Sequence, residues 1–340
     1  MALAHSAPEE ILDPDLPCID PHHHVWLMSD HRLKEWIDDW PSVGEVVADV
    51  PQFLFPELHA NVTGSGHNFV ATMYADAQMM FKADGPEHLK PVGEIEFANG
   101  LAAISASGEF GKVRLCAGII GEADLTSPLA EETLRAEIVA GGGRFRGIRA
   151  ALPRDEDVAA WVRGAGVLRD LGLTLNVFTT EPGLPHVIRV AEQLEGLPII
   201  VEHVGAPTMA GEYAGTLQDR FPIWEANMRT LAGMPHLNLQ LGALSVPFTG
   251  FASWRADPPW TSEQIAAEWA PYMVPAIEMF GADRCMFESD FPYMAGACTY
   301  QVLWNTFKRV ARQAGASQAE KEDLFAGTAR RVYSLDLPTD

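Results

Sequence analysis

Apolar runs of strand length recur from one end of the chain to the other: Cys18–Val25, Asn68–Tyr74, Val113–Ile119, Phe145–Ala150, Leu173–Phe178, Pro198–Val204, His236–Leu241 and Arg284–Ser289. Several are apolar at consecutive positions, as in Ile199-Ile200-Val201, the pattern of parallel strands packed on both faces. Helical patterns fill the gaps most clearly over Pro128–Ala140, Asp157–Leu171, Pro185–Leu194, Phe221–Leu231 and Ser262–Phe280. Ser127-Pro128 gives the first of these a cap and a first-turn proline. Gly141, Gly172, Gly196, Gly233 and Gly281 end the helices before the next strand.

Eight such units in 340 residues predict an α/β fold, a (β/α)8 TIM barrel. A doubly wound sheet is the rival, but no Gly-rich fingerprint follows the first strand. No linker, repeat or low-complexity tract divides the chain, so residues 1–340 read as one domain with the barrel over about 17–335. Two stretches exceed a simple crossover, 27–66 after strand one and 243–262 after strand seven. Loops after strands lie on the barrel face that carries chemistry.

Composition narrows the function. With 24 Lys+Arg against 46 Asp+Glu the net charge is -22, which disfavours nucleic acid and anionic membranes as partners. An anionic substrate would need local arginines to overcome that field. Cys18, Cys116, Cys285 and Cys298 form no CxxC pair and read as reduced, buried thiols. MALAHSAPEE lacks the pattern of a signal peptide and no apolar run reaches membrane-spanning length, so a soluble, cytoplasmic protein is expected.

The strongest chemical signal is Asp20-Pro21-His22-His23-His24-Val25-Trp26. Alternation puts His22 and His24 on one strand face and His23 on the other. At a barrel mouth, that pair suits a divalent metal or two donors to a carbonyl oxygen. An exposed histidine run is the bland alternative. His203 ends strand six at the same rim, with Glu202 expected to face the helix layer. Asp290 closes strand eight, where a carboxylate can ligate a metal or take a proton from water. Glu288 shares its parity and would lie deeper. Arg149 on strand four suits either a substrate carboxylate or a structural ion pair. Asn238 and Gln240 share a face of strand seven. Asp76 and Tyr293 are lesser candidates, and Glu94 and Glu96 read as solvated loop residues.

The runs IDPHHHVW, FRGIRAAL, VEHVGAP, LQLGAL and MFESDFP, with GTARRVYSL near the C-terminus, resemble the amidohydrolase superfamily. More narrowly they resemble the amidohydrolase-2 branch that holds 2-pyrone-4,6-dicarboxylate lactonase and the fucono- and rhamnono-type sugar-acid lactonases. The resemblance implies catalytic and metal-ligating roles for His22, His24, His203 and Asp290, with Asp290 activating water. It implies that Arg149 helps to hold a substrate carboxylate; Tyr293, Asn176 and Gln240 are the further candidate substrate contacts. Strand four carries no Lys to bridge two metals, and strand five, LTLNVFTT, has Asn176 where relatives with one firm metal often add a His. One divalent metal, zinc before others, or a metal-independent site are both compatible.

The expected function is hydrolysis of a lactone or related cyclic ester of a carboxylated small molecule. The alternatives are a metal-dependent decarboxylase or carbon–carbon hydrolase of the same superfamily, and a non-catalytic small-molecule binder. Trp26, Phe248, Trp254 and Trp260 would line the pocket or form a homo-oligomer interface.

Overall fold

The computed structural model describes residues 6–337. The first five residues, part of the stretch expected to carry no leader, and the last three lie outside the described residues. Eight strands follow one another round a parallel sheet: β1 (Pro17–His23), β2 (Asn68–Ala75), β3 (Arg114–Gly121), β4 (Phe145–Ala151), β5 (Thr174–Phe178), β6 (Ile199–Val201), β7 (Leu237–Leu241) and β8 (Cys285–Phe287). Each pairs in parallel with the next. The ends meet just past β8: Asp290 N–H donates to His22 O at 2.9 Å and His24 N–H to Phe291 O at 2.7 Å. The closing seam of this (β/α)8 barrel therefore runs through three of the residues singled out for chemistry.

Helices cover the outside because both faces of the strands are apolar. Ile199, Val201, Leu239 and Phe287 pack outward, in one cluster with the helix residues Leu184, Trp269 and Trp304. Ile19, Met73, Ile120, Ile200 and Met286 point into the lumen. There they meet Ala329, Tyr333, Leu335 and Leu337 of the C-terminal segment, which plugs the bottom of the barrel. Packed side chains, not a channel, fill the interior. No helix among the described residues is long and apolar enough to cross a membrane.

Three expectations need correction. Strand six stops at Val201 because the four residues His203, Val204, Gly205 and Ala206 all adopt positive φ, a run that turns the chain out of the sheet. The helix expected at Phe221 begins at Leu217. The stretch around Glu94 is a helix, Val92–Ala106, and Glu94 is buried at its start. It accepts from Tyr74 Oη at 2.7 Å and Ala77 N at 2.8 Å. Glu96 on the same helix is exposed and pairs with Lys82.

The long insertion after β1 folds into helices Asp30–Asp39, Pro41–Asp49 and Phe55–Gly64, with Trp26–Leu27 paired antiparallel to Gln52–Phe53. Arg255, from the irregular stretch after β7, joins the two insertions through Glu45 (3.2 Å) and Asp49 (2.6 Å).

Candidate active site

A register irregularity between Asp20 and His23 in β1 gives neighbouring residues different tasks. Asp20 is buried and accepts from Ser289 N (3.0 Å), Ser289 Oγ (2.6 Å) and Tyr300 Oη (2.8 Å). Burial lifts its carboxyl to about 6, with the Ser289 and Tyr300 hydrogen bonds opposing. Its bonds clamp the first strand to the last and so set the histidines against Asp290. His23 turns away and meets Thr72 Oγ1 at 2.8 Å.

His22 and His24 face each other across 3.3 Å between their Nε2 atoms. Asp290 Oδ1 lies 3.1 Å from His24 Nε2 and 3.8 Å from His22 Nε2. Each ring is held from behind. His22 Nδ1 meets Gln240 Oε1 at 3.0 Å, and His24 Nδ1 meets the Ala75 carbonyl at 3.0 Å. Both partners are acceptors, so both Nδ1 atoms carry protons and both Nε2 atoms turn toward Asp290. Burial, then the neighbouring His24, His203 and Arg149 charges, pulls the His22 imidazole well below its ordinary range, which keeps it neutral. Burial works to raise Asp290, but the His24 hydrogen bond and the surrounding imidazoles hold its carboxyl below the usual range.

The opposite side of the mouth has the reverse polarity. His203 Nδ1 donates to Glu288 Oε1 at 2.9 Å. Burial disfavours its charge, yet the Glu288 carboxylate, joined by Asp290 and Glu202, lifts it to about 8. The pair holds a proton through the neutral range. Gly242 makes room for it, since a Cβ there would sit 2.2 Å from Glu288 O and 2.5 Å from its Oε1. Arg149 Nε bonds Glu202 Oε2 at 2.7 Å, and Arg149 Nη2 lies 3.5 Å from His203 Nε2. Phe178 packs against both the Arg149 guanidinium and the His203 ring.

Glu202 therefore faces the lumen and not the helix layer. Ile200 points inward, so strict alternation sends Glu202 inward too, and the left-handed turn at His203 (φ 56°) swings that ring in beside it. Asp290 is also left-handed, at φ 50°. Holding non-glycine residues there costs roughly 1–3 kcal/mol each and recurs at functional sites.

Comparison with known proteins decides the family. The amidohydrolase family pattern matches residues 19–335. The chain belongs to the amidohydrolase family. It is 27% identical to L-fucono-1,5-lactonase of Burkholderia multivorans over 95% of this chain and 97% of that one. Among solved structures, a B. multivorans amidohydrolase with bound zinc superposes with a TM-score of 0.71 at 24% identity, covering 94% of this chain and 99% of that one. A 2-pyrone-4,6-dicarboxylic acid hydrolase, so described, from Pseudomonas putida gives 0.61 at 16% identity, covering 95% and 99%. These two share the fold. The amidohydrolase is thus a hydrolase with lactonases among its relatives.

The donor set of this amidohydrolase fits one divalent ion. His24 has acceptors at both nitrogens, the Ala75 carbonyl and Asp290, while His22 directs a lone pair at the same point. A proton between His24 Nε2 and Asp290 Oδ1, or a metal in its place, satisfies this meeting of acceptors. Tetrahedral zinc with bonds near 2.0–2.1 Å separates its donors by about 3.3 Å, and the three separations here are 3.1, 3.3 and 3.8 Å. His203 does not join that set. It groups instead with His22 and Glu288, because its Nδ1 is taken by Glu288. The four expected ligands therefore split into three that converge and one that stands across from them.

Two expected substrate contacts lie beneath the mouth. Asn176 and Gln240 are buried and bond Tyr333 from below. Tyr293 is in the wall, 5.1 Å by ring centroids from both His24 and Trp26. Phe248 packs on Phe178, whereas Trp254 lies against Gly296 and Arg255. Asp76 is buried with Oδ1 unpartnered, and the Arg149 charge tempers the rise that burial imposes on its carboxyl.

Proposed function

We propose that this amidohydrolase opens a lactone by adding water to its carbonyl. The reading is carried by the convergence of the His22 and His24 Nε2 atoms with the Asp290 carboxylate, across from the protonated His203–Glu288 pair. Kinship with L-fucono-1,5-lactonase over nearly the whole chain supports it.

Asp290, ionised and buried, accepts a proton from the attacking water, whose oxygen bonds to the carbonyl carbon. The negative charge that develops on the carbonyl oxygen is met by the positive side of the site. As the ring C–O bond breaks, His203 Nε2–H protonates the departing alkoxide, and the proton on Asp290 then restores His203 through solvent. The products are the carboxyl and hydroxyl ends of one hydroxy acid, so water and lactone balance. A divalent ion held by His22, His24 and Asp290, zinc before others, would polarise the carbonyl and acidify water. Arg149 keeps Nη1 for an oxygen-bearing substituent, a carboxylate or hydroxyl, while Glu202 holds its Nε and its Nη2 lies against His203 Nε2. Tyr293 and Phe178 flank the ring, whereas Trp26, expected to line the pocket, is fully buried behind Tyr293 with its Nε1 on the Val50 carbonyl. Asn176 on β5 is tied to Glu202 and Tyr333, which leaves no fifth-strand ligand of the kind a metal-dependent decarboxylase would add.

Acid release from L-fucono-1,5-lactone and a panel of neutral and carboxylated lactones, followed with a pH indicator, tests the proposal. Turnover that Asp290→Asn abolishes is expected. Undiminished turnover by that variant, or CO2 release from aromatic acids with no lactone opened, contradicts it.

A further inference from the structure

The C-terminal plug carries a polar group that the hydrolytic reading does not use. Tyr333 belongs to the GTARRVYSL segment, is 1% exposed, and sends its hydroxyl up the lumen to 3.2 Å from Gln240 Nε2. The same oxygen lies 3.1 Å from Asn176 Nδ2 and 3.2 Å from Asn176 Oδ1. Asn176 Nδ2 reaches Glu202 Oε1 at 3.2 Å, and Gln240 Oε1 reaches His22 Nδ1 at 3.0 Å. Side chains from β1, β7, the C-terminal segment, β5 and β4, with Glu202 just past β6, thus form one belt across the barrel beneath the mouth.

The hydrogen bonds of the belt run in one direction, from His22 to Glu202. Glu202 is ion-paired to Arg149 and only accepts. Asn176 therefore turns its amide nitrogen to Glu202, and in the direction seen here its Oδ1 accepts from the Tyr333 hydroxyl at 3.2 Å. Tyr333, having donated, accepts from Gln240 Nε2. Gln240 then has only Oε1 left for His22, so His22 must donate from Nδ1 and present its Nε2 lone pair to His24 and Asp290. Reversing the Asn176 amide would set its Oδ1 against the Glu202 carboxylate, two acceptors face to face in a buried site. Glu202 Oε1 itself is 3.6 Å from His22 Nδ1, too far for a hydrogen bond.

We propose that Tyr333 is a positioning residue: its hydroxyl orients the Gln240 amide and thereby fixes the tautomer of His22, tying the reactive corner to the Arg149–Glu202 ion pair. The inference uses the reading of His22 as a ligand only for its functional consequence, since the tautomer exists without metal or substrate.

Long-range proton–nitrogen NMR of the metal-free protein, with labelled histidine, reads the tautomer directly. Wild type should carry the His22 proton on Nδ1. In Tyr333→Phe a share of it should move to Nε2, and zinc affinity, measured against a chromophoric chelator, should fall about 10-fold, the low end for loss of an outer partner of a metal ligand. Gln240→Met leaves the plug's packing in place and should lose about 10–100-fold. A carboxylate accepts in either orientation, so Tyr333→Phe combined with Gln240→Glu should restore both the Nδ1 proton and most of the affinity. A wild-type tautomer and affinity in Tyr333→Phe or Gln240→Met overturns the proposal. So does a double variant no better than Tyr333→Phe, which would make the tyrosine a packing group only. If wild type shows the ordered Nδ1 proton, the variants shift it and no protein binds zinc, this proposal stands and the metal reading fails.

Discussion

On the β1–β8 side of the mouth, three electron-rich atoms converge, two imidazole nitrogens and a carboxylate oxygen, with backbone hydrogen bonds across the barrel seam setting their spacing. On the β4–β6 side the groups facing the same space are proton donors, Arg149 and His203, each backed by a buried glutamate. The two sides are also made differently. The acceptor side rests on ordinary strand pairing plus the Asp20 clamp, whereas the donor side depends on a run of left-handed residues from His203 to Ala206. A lactone carbonyl needs both, a base for water and a donor for the departing oxygen. One wall alone would bind without turning over.

The largest expected effect comes from the acceptor side. Asp290→Asn keeps the shape but not the base, and kcat should fall by at least about 10³-fold, within the scale of general-base loss. A stopped or pH-indicator assay at saturating lactone checks it, with folding verified by thermal melting. His203→Asn removes the proposed donor and should lower kcat by about 10²-fold. Its deficit should shrink on lactones with better leaving alkoxides, whereas the Asp290→Asn deficit should not. Equal responses to the leaving group would erase the distinction between the walls.

Glu288→Gln sharpens the comparison by changing only the support of the donor side. The amide keeps the shape of the side chain but removes the carboxylate charge that raises His203 to about 8. About 10-fold less activity and unchanged zinc binding are expected, read by kinetics and a chelator competition.

Glu94 serves as the control outside both walls. Burial lifts its carboxyl to about 7, so the folded chain holds this proton more tightly than the unfolded one. Its contribution to stability is present below about 4.5 and is lost as pH rises toward 7. Glu94→Gln should flatten that part of the urea-midpoint profile and leave lactone turnover within about twofold.

The barrel was legible because buried parallel strands are apolar on both faces, and runs such as Ile199-Ile200-Val201 announce that without reference to neighbours. The His22–His24 pair was legible for the same local reason, a two-residue period. Glu202 was not, because its facing depends on where β6 stops and on the sign of φ at His203, and a β-branched Val204 at φ 57° gives no warning of a left-handed turn. The helix Val92–Ala106 hides its period because it is apolar nearly all round, so Glu94 read as loop. Tyr333 stands 157 residues from Asn176, and nothing local marks a hydroxyl that crosses the barrel floor. Gln240 was visible as a polar residue in an apolar strand, but its task required knowing what lay at both of its ends.

The division between the two walls is tested most directly by zinc affinity in two single variants measured side by side. Asp290→Asn should bind at least about 100-fold more weakly than wild type, because it removes one of three converging donors, while His203→Asn should stay within about threefold. Equal losses in both would place His203 among the ligands and dissolve the separation of acceptor and donor sides.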